Sequence, residues 1–280
     1  MTAVAYGIAM PAVRAVLGRP TPAPAVLDQV SGVTITGAWS MERALLASFG
    51  SGNRFRVRDT TTSGFQDCAT PAAASSFLGG DSGAVVSLYD QSGNGRTLTN
   101  ATASQQPAFA TGIGPNGRAG AAFDATNDKL VGPALSNFMT AASGYVVAVL
   151  MFNALATTNQ QVWADTSGYV ALMGQSASTL RVYLYDTGYH TADETIAAGA
   201  VVVHEWWHQG GTLYARLNGG TVSSTAAGDV ASLASFLGVG RVLNAWNAMN
   251  GSILEFATMS GVPAQADSVV DDMKLYYGIA

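Results

Sequence analysis

Short runs in which apolar and polar residues alternate follow one another along most of the chain from Val33 onward. In one of them Leu180, Val182 and Leu184 share one face, which is typical of a half-buried β-strand. Similar runs occur around residues 54–59, 84–89, 107–110, 119–124, 145–152, 160–165, 169–173, 179–185, 200–208, 212–217, 234–240 and 251–259. Runs at such intervals, without regular helices between them, predict an all-β, two-sheet antiparallel sandwich.

Turn and capping residues refine this prediction. Gly210-Gly211 and Asn218-Gly219-Gly220 indicate hairpins. Ser40 is a suitable N-cap for a short helix near 41–49, which Gly50 would end. At the end of the chain, helical spacing predicts a second helix near 264–277 that lies against the sandwich; its apolar positions are Val269, Val270, Met273, Tyr276 and Tyr277.

The first 32 residues differ from the rest. Pro11, Pro20, Pro22 and Pro24 punctuate an apolar stretch, and proline favours extended chain there. Such a segment cannot form its own core. We therefore divide the chain into an extended arm, 1–32, and a sandwich, 33–280. Because the arm is apolar, we favour its docking on a neighbouring molecule over a disordered leader, which is usually polar.

Composition narrows the class of function. The 280 residues are 48% hydrophobic, only 11% are charged, and the net charge is −5. This balance argues against a nucleic-acid partner, which requires a basic surface. No apolar run has the length of a membrane span, and the N-terminus lacks the basic start of a signal peptide. Cys68 is the only cysteine, which suits a reducing compartment.

The sequence His204-Glu205-Trp206-Trp207-His208 matches a zinc motif, H-E-x-x-H. That chemistry requires a helix, on which residues four apart share a face. Here three valines precede the motif and two glycines follow it, which favours a strand entering a hairpin. Residues four apart on a strand are separated by about 13 Å, so we predict no zinc site, and no metal or other cofactor elsewhere.

The segment Tyr89–Gly95 (YDQSGNG) is predicted to be a structural turn after a strand. Gly93 and Gly95 suit positive φ, Asp90 suits hydrogen bonds to turn amides, and Asn94 is a common turn residue. Together with Gly37-Ala38-Trp39-Ser40, Ala121-Ala122-Phe123-Asp124 and the glycine- and asparagine-rich runs after residue 211, the turn resembles the concanavalin A-like (laminin-G-like) jelly rolls. In particular, the order of these segments is similar to that in the catalytic sandwich of family 54 α-L-arabinofuranosidases.

This resemblance implies a carbohydrate-related origin, but the sequence departs from it at the catalytic positions. By the resemblance, Asp186 stands where the family has its nucleophilic Glu, and Arg241 stands where the family presents its acid Asp. Arginine stays charged and cannot donate the proton, and a retaining glycosidase needs two carboxylates about 5 Å apart. The family's cysteine pairs are also missing. We therefore expect no catalytic residues and no enzymatic activity.

One loop is a candidate site for carbohydrate binding. Trp246, Asn244, Asn247 and Arg241 offer an aromatic face and polar partners for a sugar, although Trp246 suits a place in the core equally well. A second cluster consists of Arg54, Arg56 and Arg58, which share one face of a strand. This face is either an anion-binding or interface surface or an ordinary solvated strand face.

The apolar arm, the sandwich without cysteine bridges and the charge-poor surface favour a bacteriophage virion protein: a head decoration, fibre or tail component, assembled in the bacterial cytoplasm. The expected partners are other virion proteins, bound through residues 1–32, further copies of the chain, and host glycans. Two alternatives are a secreted bacterial glycoside hydrolase or carbohydrate-binding module, and a self-assembling surface-layer or adhesin domain.

Overall fold

The computed structural model describes residues 25–155, 159–241 and 247–280. Within them the strands are β1 Ile35–Ser40, β2 Phe55–Asp59, β3 Phe65–Cys68, β4 Gly83–Leu88, β5 Leu98–Thr99, β6 Ala108–Ile113, β7 Arg118–Asp124, β8 Lys129–Ala134, β9 Ser143–Phe152, β10 Gln160–Asp165, β11 Val170–Ser176, β12 Thr179–Tyr185, β13 Tyr189–Thr195, β14 Val201–Gln209, β15 Thr212–Leu217, β16 Ser223–Ala226, β17 Phe236–Gly240, β18 Asn247–Ala248 and β19 Asn250–Met259. The α-helices are α1 Pro71–Leu78 and α2 Ala266–Tyr277.

The strands form two layers, which we call the front and back sheets. The front sheet runs β3-β2-β4-β5-β8-β17-β10-β11-β12-β13. In the back sheet, β1 and β7 pair with different parts of one edge of β19. The other edge of β19 pairs with β9, and the sheet continues through β14 and β15 to β16. Nearly all pairings are antiparallel; β18 is parallel to β10. The predicted all-β, two-sheet jelly-roll sandwich is confirmed.

Three tryptophans lie in the core between the sheets. The rings of Trp163 and Trp206 stack with centroids 5.0 Å apart, and Trp39 stacks on Phe256 at 5.2 Å. Each of these tryptophans is at most 1% exposed. Because such large side chains fix the spacing of both sheets, truncating one to alanine would cost about 3–5 kcal/mol.

A second apolar cluster lies on the outer side of the back sheet, under α2. Val269, Val270 and Met273 of the helix are fully buried against it. The helix ends at Gly278, whose φ of 71° gives the left-handed cap that glycine favours. The predicted C-terminal helix is therefore confirmed. No helix in the described ranges combines the length and hydrophobicity needed to cross a membrane.

The helix predicted near 41–49 is wrong over most of its length. Only Ala47–Phe49 forms a helical turn, of the 3-10 type. Ser40 does act as a cap, since its hydroxyl accepts bonds from the amides of residues 42 and 43. However, the buried side chain of Gln91 donates to the Ser40 carbonyl at 2.8 Å and accepts from the Leu45 amide at 2.8 Å. These long-range bonds replace the ones that an α-helix would make.

The structure contains a helix, α1, that the sequence pattern did not predict. Thr70 caps it by accepting a bond from the Ala73 amide at 3.1 Å, and Pro71 begins it. Gly79 ends it with a φ of 58°. Leu78 belongs to the same apolar cluster as Val57 and so fixes the helix on the front sheet.

Part of the predicted arm lies within the described residues. Val26 and Leu27 are 2% and 1% exposed in the cluster on the back sheet. The Leu27 amide donates to the Leu45 carbonyl at 2.9 Å, and Asp28 accepts from the Ala47 amide. Residues 1–24 lie outside the described residues, so the docking predicted for the arm stays a prediction.

Candidate functional site

The predicted sugar-binding loop is only partly described. Arg241 directly follows β17; its amide donates to the Asp128 carbonyl at 2.8 Å, and its Nη1 donates to the Thr126 carbonyl at 2.9 Å. Asn247 is exposed and pairs with Gln160 at the start of β10. Asn244 and Trp246 lie outside the described residues. The set as a sugar site therefore stays a prediction.

A buried carboxyl group lies next to Arg241 in the structure. Asp128 is 5% exposed and accepts a bond from the Asp124 amide at 3.1 Å. Burial, together with the negative charge of Asp124, raises the pKa of Asp128 to about 7. The strand pattern gave no signal for this group, because burial of a polar residue in a loop depends on distant elements.

Asp186 is held by many hydrogen bonds in the turn between β12 and β13. Its carboxylate accepts from the amides of Thr187, Gly188 and Gly228 and from Nε2 of His190 at 3.0 Å. These bonds, led by that from the Gly188 amide, hold the pKa of Asp186 well below its usual range. A carboxylate so stabilised is a weak nucleophile and a weak base, so its evident role is to close the turn.

Asp186 and Arg241 lie at opposite ends of the front sheet. Val239 aligns with Trp163, which aligns through β11 with Val182 on β12. Asp186 lies four residues beyond Val182, whereas Arg241 lies two residues beyond Val239 in the opposite direction, because β17 and β12 are antiparallel. The two positions are therefore about 20 Å apart along the strands, too far to act on one glycosidic bond.

A cluster of four tyrosines lies at the Asp186 end of the front sheet. It consists of Tyr169, Tyr183, Tyr185 and Tyr189, and we call it the tyrosine cluster. Ring centroids are 4.6 Å apart for Tyr183 and Tyr189, 4.8 Å for Tyr185 and Tyr189, and 5.7 Å for Tyr169 and Tyr185. Tyr189 is 66% exposed. An aromatic surface therefore meets solvent at this end of the sandwich.

The sequence of β12 explains how this cluster forms. Val182 and Leu184 point into the core, so Arg181, Tyr183 and Tyr185 point outward. On β13, Tyr189 is opposite Tyr185, and Asp193 is opposite Arg181. The cluster is thus assembled from a hairpin and from Tyr169, whose carbonyl accepts from the Tyr185 amide at 2.7 Å.

Polar groups border the tyrosine cluster on the same face. Arg181 donates from Nε and Nη2 to both carboxylate oxygens of Asp193, each at 2.6 Å, which leaves its Nη1 outside that pair. Both side chains are partly exposed. Exposed aromatic rings next to a planar, charged hydrogen-bonding pair are suited to stacking on the apolar face of a sugar and binding its hydroxyls.

The His204–His208 motif lies on strand β14, as predicted, and not on a helix. Gly210 and Gly211, with φ of 58° and 73°, form the turn that leads into β15. Both histidines are buried between the sheets. Within residues 25–155, 159–241 and 247–280, no group of three or more His, Cys, Asp or Glu side chains is arranged to hold a metal ion.

The turn Tyr89–Gly95 ties the front sheet to β1. Asp90 accepts from the amides of Ala38 and Arg96, each at 3.0 Å, and Asn94 donates to the Ile35 carbonyl at 3.1 Å. Gly93 and Gly95 have positive φ. These residues make contacts within the fold.

The predicted arginine face of β2 is engaged within the domain. Arg56 pairs with both oxygens of Asp67, Arg58 donates to Gln106 at 2.8 Å, and Arg54 donates to the Glu42 carbonyl at 3.0 Å.

Comparison with known proteins shows the fold. No family model and no curated protein matches the chain. A family 54 α-L-arabinofuranosidase variant soaked with 4-nitrophenyl α-L-arabinofuranoside is 16% identical, with a TM-score of 0.65 over 89% of this chain and 63% of that one. An arabinofuranosidase complexed with arabinofuranosyl-α-1,2-xylobiose is 15% identical, with a TM-score of 0.62 over 90% of this chain and 64% of that one. Trypanosoma rangeli sialidase in complex with 2,3-difluorosialic acid is 10% identical, with a TM-score of 0.50 over 68% of this chain and 31% of that one.

The chain therefore spans less than two thirds of the length of the arabinofuranosidase chains that it matches. It is an all-β sandwich with the fold found in these carbohydrate-active proteins. The front sheet of this sandwich presents the exposed tyrosine cluster described above.

Proposed function

We propose that this sandwich binds glycans without hydrolysing them, through the tyrosine cluster on its front sheet. The observation that carries the proposal is the group of four contacting tyrosines, in which Tyr189 is 66% exposed, beside the Arg181–Asp193 pair. Contiguous exposed apolar patches on a protein surface often mark ligand-binding sites. The fold shared with carbohydrate-active proteins supports a sugar as that ligand.

Two features support binding in place of hydrolysis. The carboxylate of Asp186 is occupied by four donors, which lie in its own turn, on β13 and in the 228 loop. Arg241, about 20 Å away along the strands, cannot donate a proton to a leaving group. The arrangement lacks the two neighbouring carboxyl groups of a retaining glycosidase at these positions.

The chromogenic substrate 4-nitrophenyl α-L-arabinofuranoside tests this proposal together with a glycan array. We expect wild-type protein to be retained by one class of glycan on the array and to release no nitrophenol above the rate of a buffer blank. Release proportional to protein concentration would overturn the non-catalytic proposal and favour a hydrolase. Absence of retention on every glycan would overturn the binding proposal.

We further propose that the protein is a virion component, anchored through residues 1–24 with the front sheet directed outward. Two observations favour this more specific function: the chain preceding Ala25 is apolar and proline-rich, and Val26 and Leu27, which follow it, are buried on the back sheet. The tyrosine cluster lies on the other sheet, where anchoring would leave it accessible.

Limited proteolysis tests this anchoring. We expect protease to cleave within residues 1–24 of the free protein and to spare them in the native particle from its source. Cleavage in both states, or a protein that occurs only free, would contradict a virion role and leave glycan binding as the function of an isolated module.

A further inference from the structure

A pocket of about 270 Å³ lies on the outer side of the back sheet, beside the start of α2. Trp207 of β14 and Arg216 of β15 line it from the sheet, and Val262, Pro263 and Asp267 line it from the helix side. Val222 also lines the pocket. Pockets that bind small ligands are concave and mostly apolar, with a few convergent polar groups. This volume lies just below the range of drug-sized ligands.

The aromatic side of the pocket is rigid. Trp207 stacks on Tyr214 with centroids 5.0 Å apart and an interplanar angle of 11°, and Tyr145 lies 6.4 Å away on its other neighbouring strand. Trp207 itself is only partly buried. Because both flanking strands hold the indole, it would bind a ligand without first losing rotamer freedom.

The charged groups of the pocket are one guanidinium, Arg216, and the two carboxylates that pair with it, Glu205 and Asp267. Arg216 donates from Nε at 2.5 Å and from Nη2 at 2.9 Å to Glu205, whose side chain is fully buried and also accepts from the Tyr145 hydroxyl at 2.6 Å. The same Nη2 lies 2.7 Å from Oδ1 of Asp267, an 84% exposed side chain. An anionic ligand would meet two carboxylates, and a cationic ligand would meet the guanidinium. A neutral ligand avoids both costs.

Hydrogen-bonding groups still remain for such a ligand. The bonds above use Nε and Nη2 of Arg216 and Oδ1 of Asp267, which leaves Nη1 as a donor and Oδ2 as an acceptor at the pocket. From an aromatic wall, an apolar side formed by Val262 and Pro263, and one donor and one acceptor of opposite charge, we infer that this pocket is a second saccharide site, which takes one neutral sugar unit. It goes beyond the function proposed for the front sheet, because it lies on the opposite face of the sandwich.

The test is a titration with neutral methyl glycosides (α-L-arabinofuranoside, β-D-xylopyranoside and β-D-galactopyranoside), followed by amide chemical shifts. In a Tyr189→Ala background we expect at least one glycoside to shift amides of residues 205–207, 214–216 and 262–267. Trp207→Ala should weaken this binding about tenfold or more, as truncation of aromatic anchors does at other binding sites. Asp267→Ala, a change at an 84% exposed side chain, should weaken it about three- to tenfold. Leu275→Ala, an exposed change on the same helix, is the control and should leave binding unchanged.

The outcomes separate this inference from the front-sheet proposal. Binding that Tyr189→Ala abolishes and that Asp267→Ala leaves intact would overturn the second site and retain the first. Binding that only the Trp207 and Asp267 variants weaken would retain the second site and overturn the first. No shift with any glycoside in wild-type protein would overturn the second site directly.

Discussion

Among single residues, His204 is a histidine buried in the apolar core. It is 1% exposed, it points between the sheets, and neither ring nitrogen has a hydrogen-bond partner in the described part of the chain. Burial lowers its pKa to about 3. The folded protein therefore keeps this imidazole neutral at pH values where the unfolded chain protonates it.

We predict that His204→Leu stabilises the protein, increasingly so at acidic pH. An unfolded histidine titrates near 6.5, so wild-type stability falls as the pH drops from about 6.5 toward 3. The variant removes this loss and the unsatisfied nitrogens. Its free energy of unfolding should be about 1 kcal/mol higher at pH 7, and the gain should grow by about 1.4 kcal/mol per pH unit below 6.5.

Urea denaturation at pH 7, 6 and 5 measures this difference. Val203→Ala, a neighbouring buried change without a titratable group, is the control; it should lower stability by a similar amount at each pH. A His204→Leu gain that stays constant with pH would show that the imidazole is protonated or paired in the folded protein.

At the scale of elements, an ion pair fixes α2 on the sandwich. Arg43 donates from Nε and Nη2 to both oxygens of Glu255, at 3.0 and 2.9 Å, and also pairs with Asp272 of the helix. The Tyr277 hydroxyl donates to the same Glu255 carboxylate at 2.9 Å. Because the Glu255 side chain is fully buried, water cannot replace these partners.

We predict that Arg43→Met lowers the free energy of unfolding by about 3–5 kcal/mol, since it leaves a buried carboxylate without its cation. The double change Arg43→Met with Glu255→Leu should recover most of the loss, because it removes the charge as well. Arg56→Met is the matched control: Arg56 also holds a carboxylate, Asp67, with two bonds, but both side chains are partly exposed, so the cost should be below about 1 kcal/mol. Equal losses for Arg43→Met and Arg56→Met in urea would contradict this account.

A strand with a clear apolar face was predictable from the sequence. β12 alternates between core and surface, and 179–185 was predicted with its observed bounds. β13 was missed, because only Ala192 of its seven residues is buried and no alternation marks it. The signal for α1 was present in Thr70-Pro71 and Gly79, but its alanine- and serine-rich middle lacks an apolar stripe.

The tyrosine cluster was beyond the reach of local patterns. Tyr183 and Tyr185 were visible as outward positions of β12, because their neighbours Val182 and Leu184 were predicted to be inward. Tyr169 and Tyr189 join them only through the pairing of β11, β12 and β13. Local patterns also could not predict the role of Gln91, because its partners Ser40 and Leu45 are distant in the sequence. Its bonds to them replace the predicted helix near 41–49.

At the scale of the whole molecule, the two sheets have different outer faces. The back sheet is partly covered by α2 and by residues 26–30, and its open part carries the pocket beside Trp207. The front sheet carries the tyrosine cluster at one end and Arg241 at the other. We therefore place the proposed glycan-binding surface on the front sheet, at the end that carries the tyrosine cluster.

The most direct test of the central claim is the affinity of wild-type protein and two matched variants for the glycan that the array identifies, measured by isothermal titration calorimetry. Tyr189→Ala removes the most exposed ring of the cluster, and Phe65→Ala removes a ring of similar exposure, 56%, on the far edge strand β3. We expect Tyr189→Ala to weaken binding at least tenfold, or about 1.4 kcal/mol, and Phe65→Ala to leave it unchanged. Equal affinities for wild-type protein and Tyr189→Ala would contradict glycan binding at the front sheet.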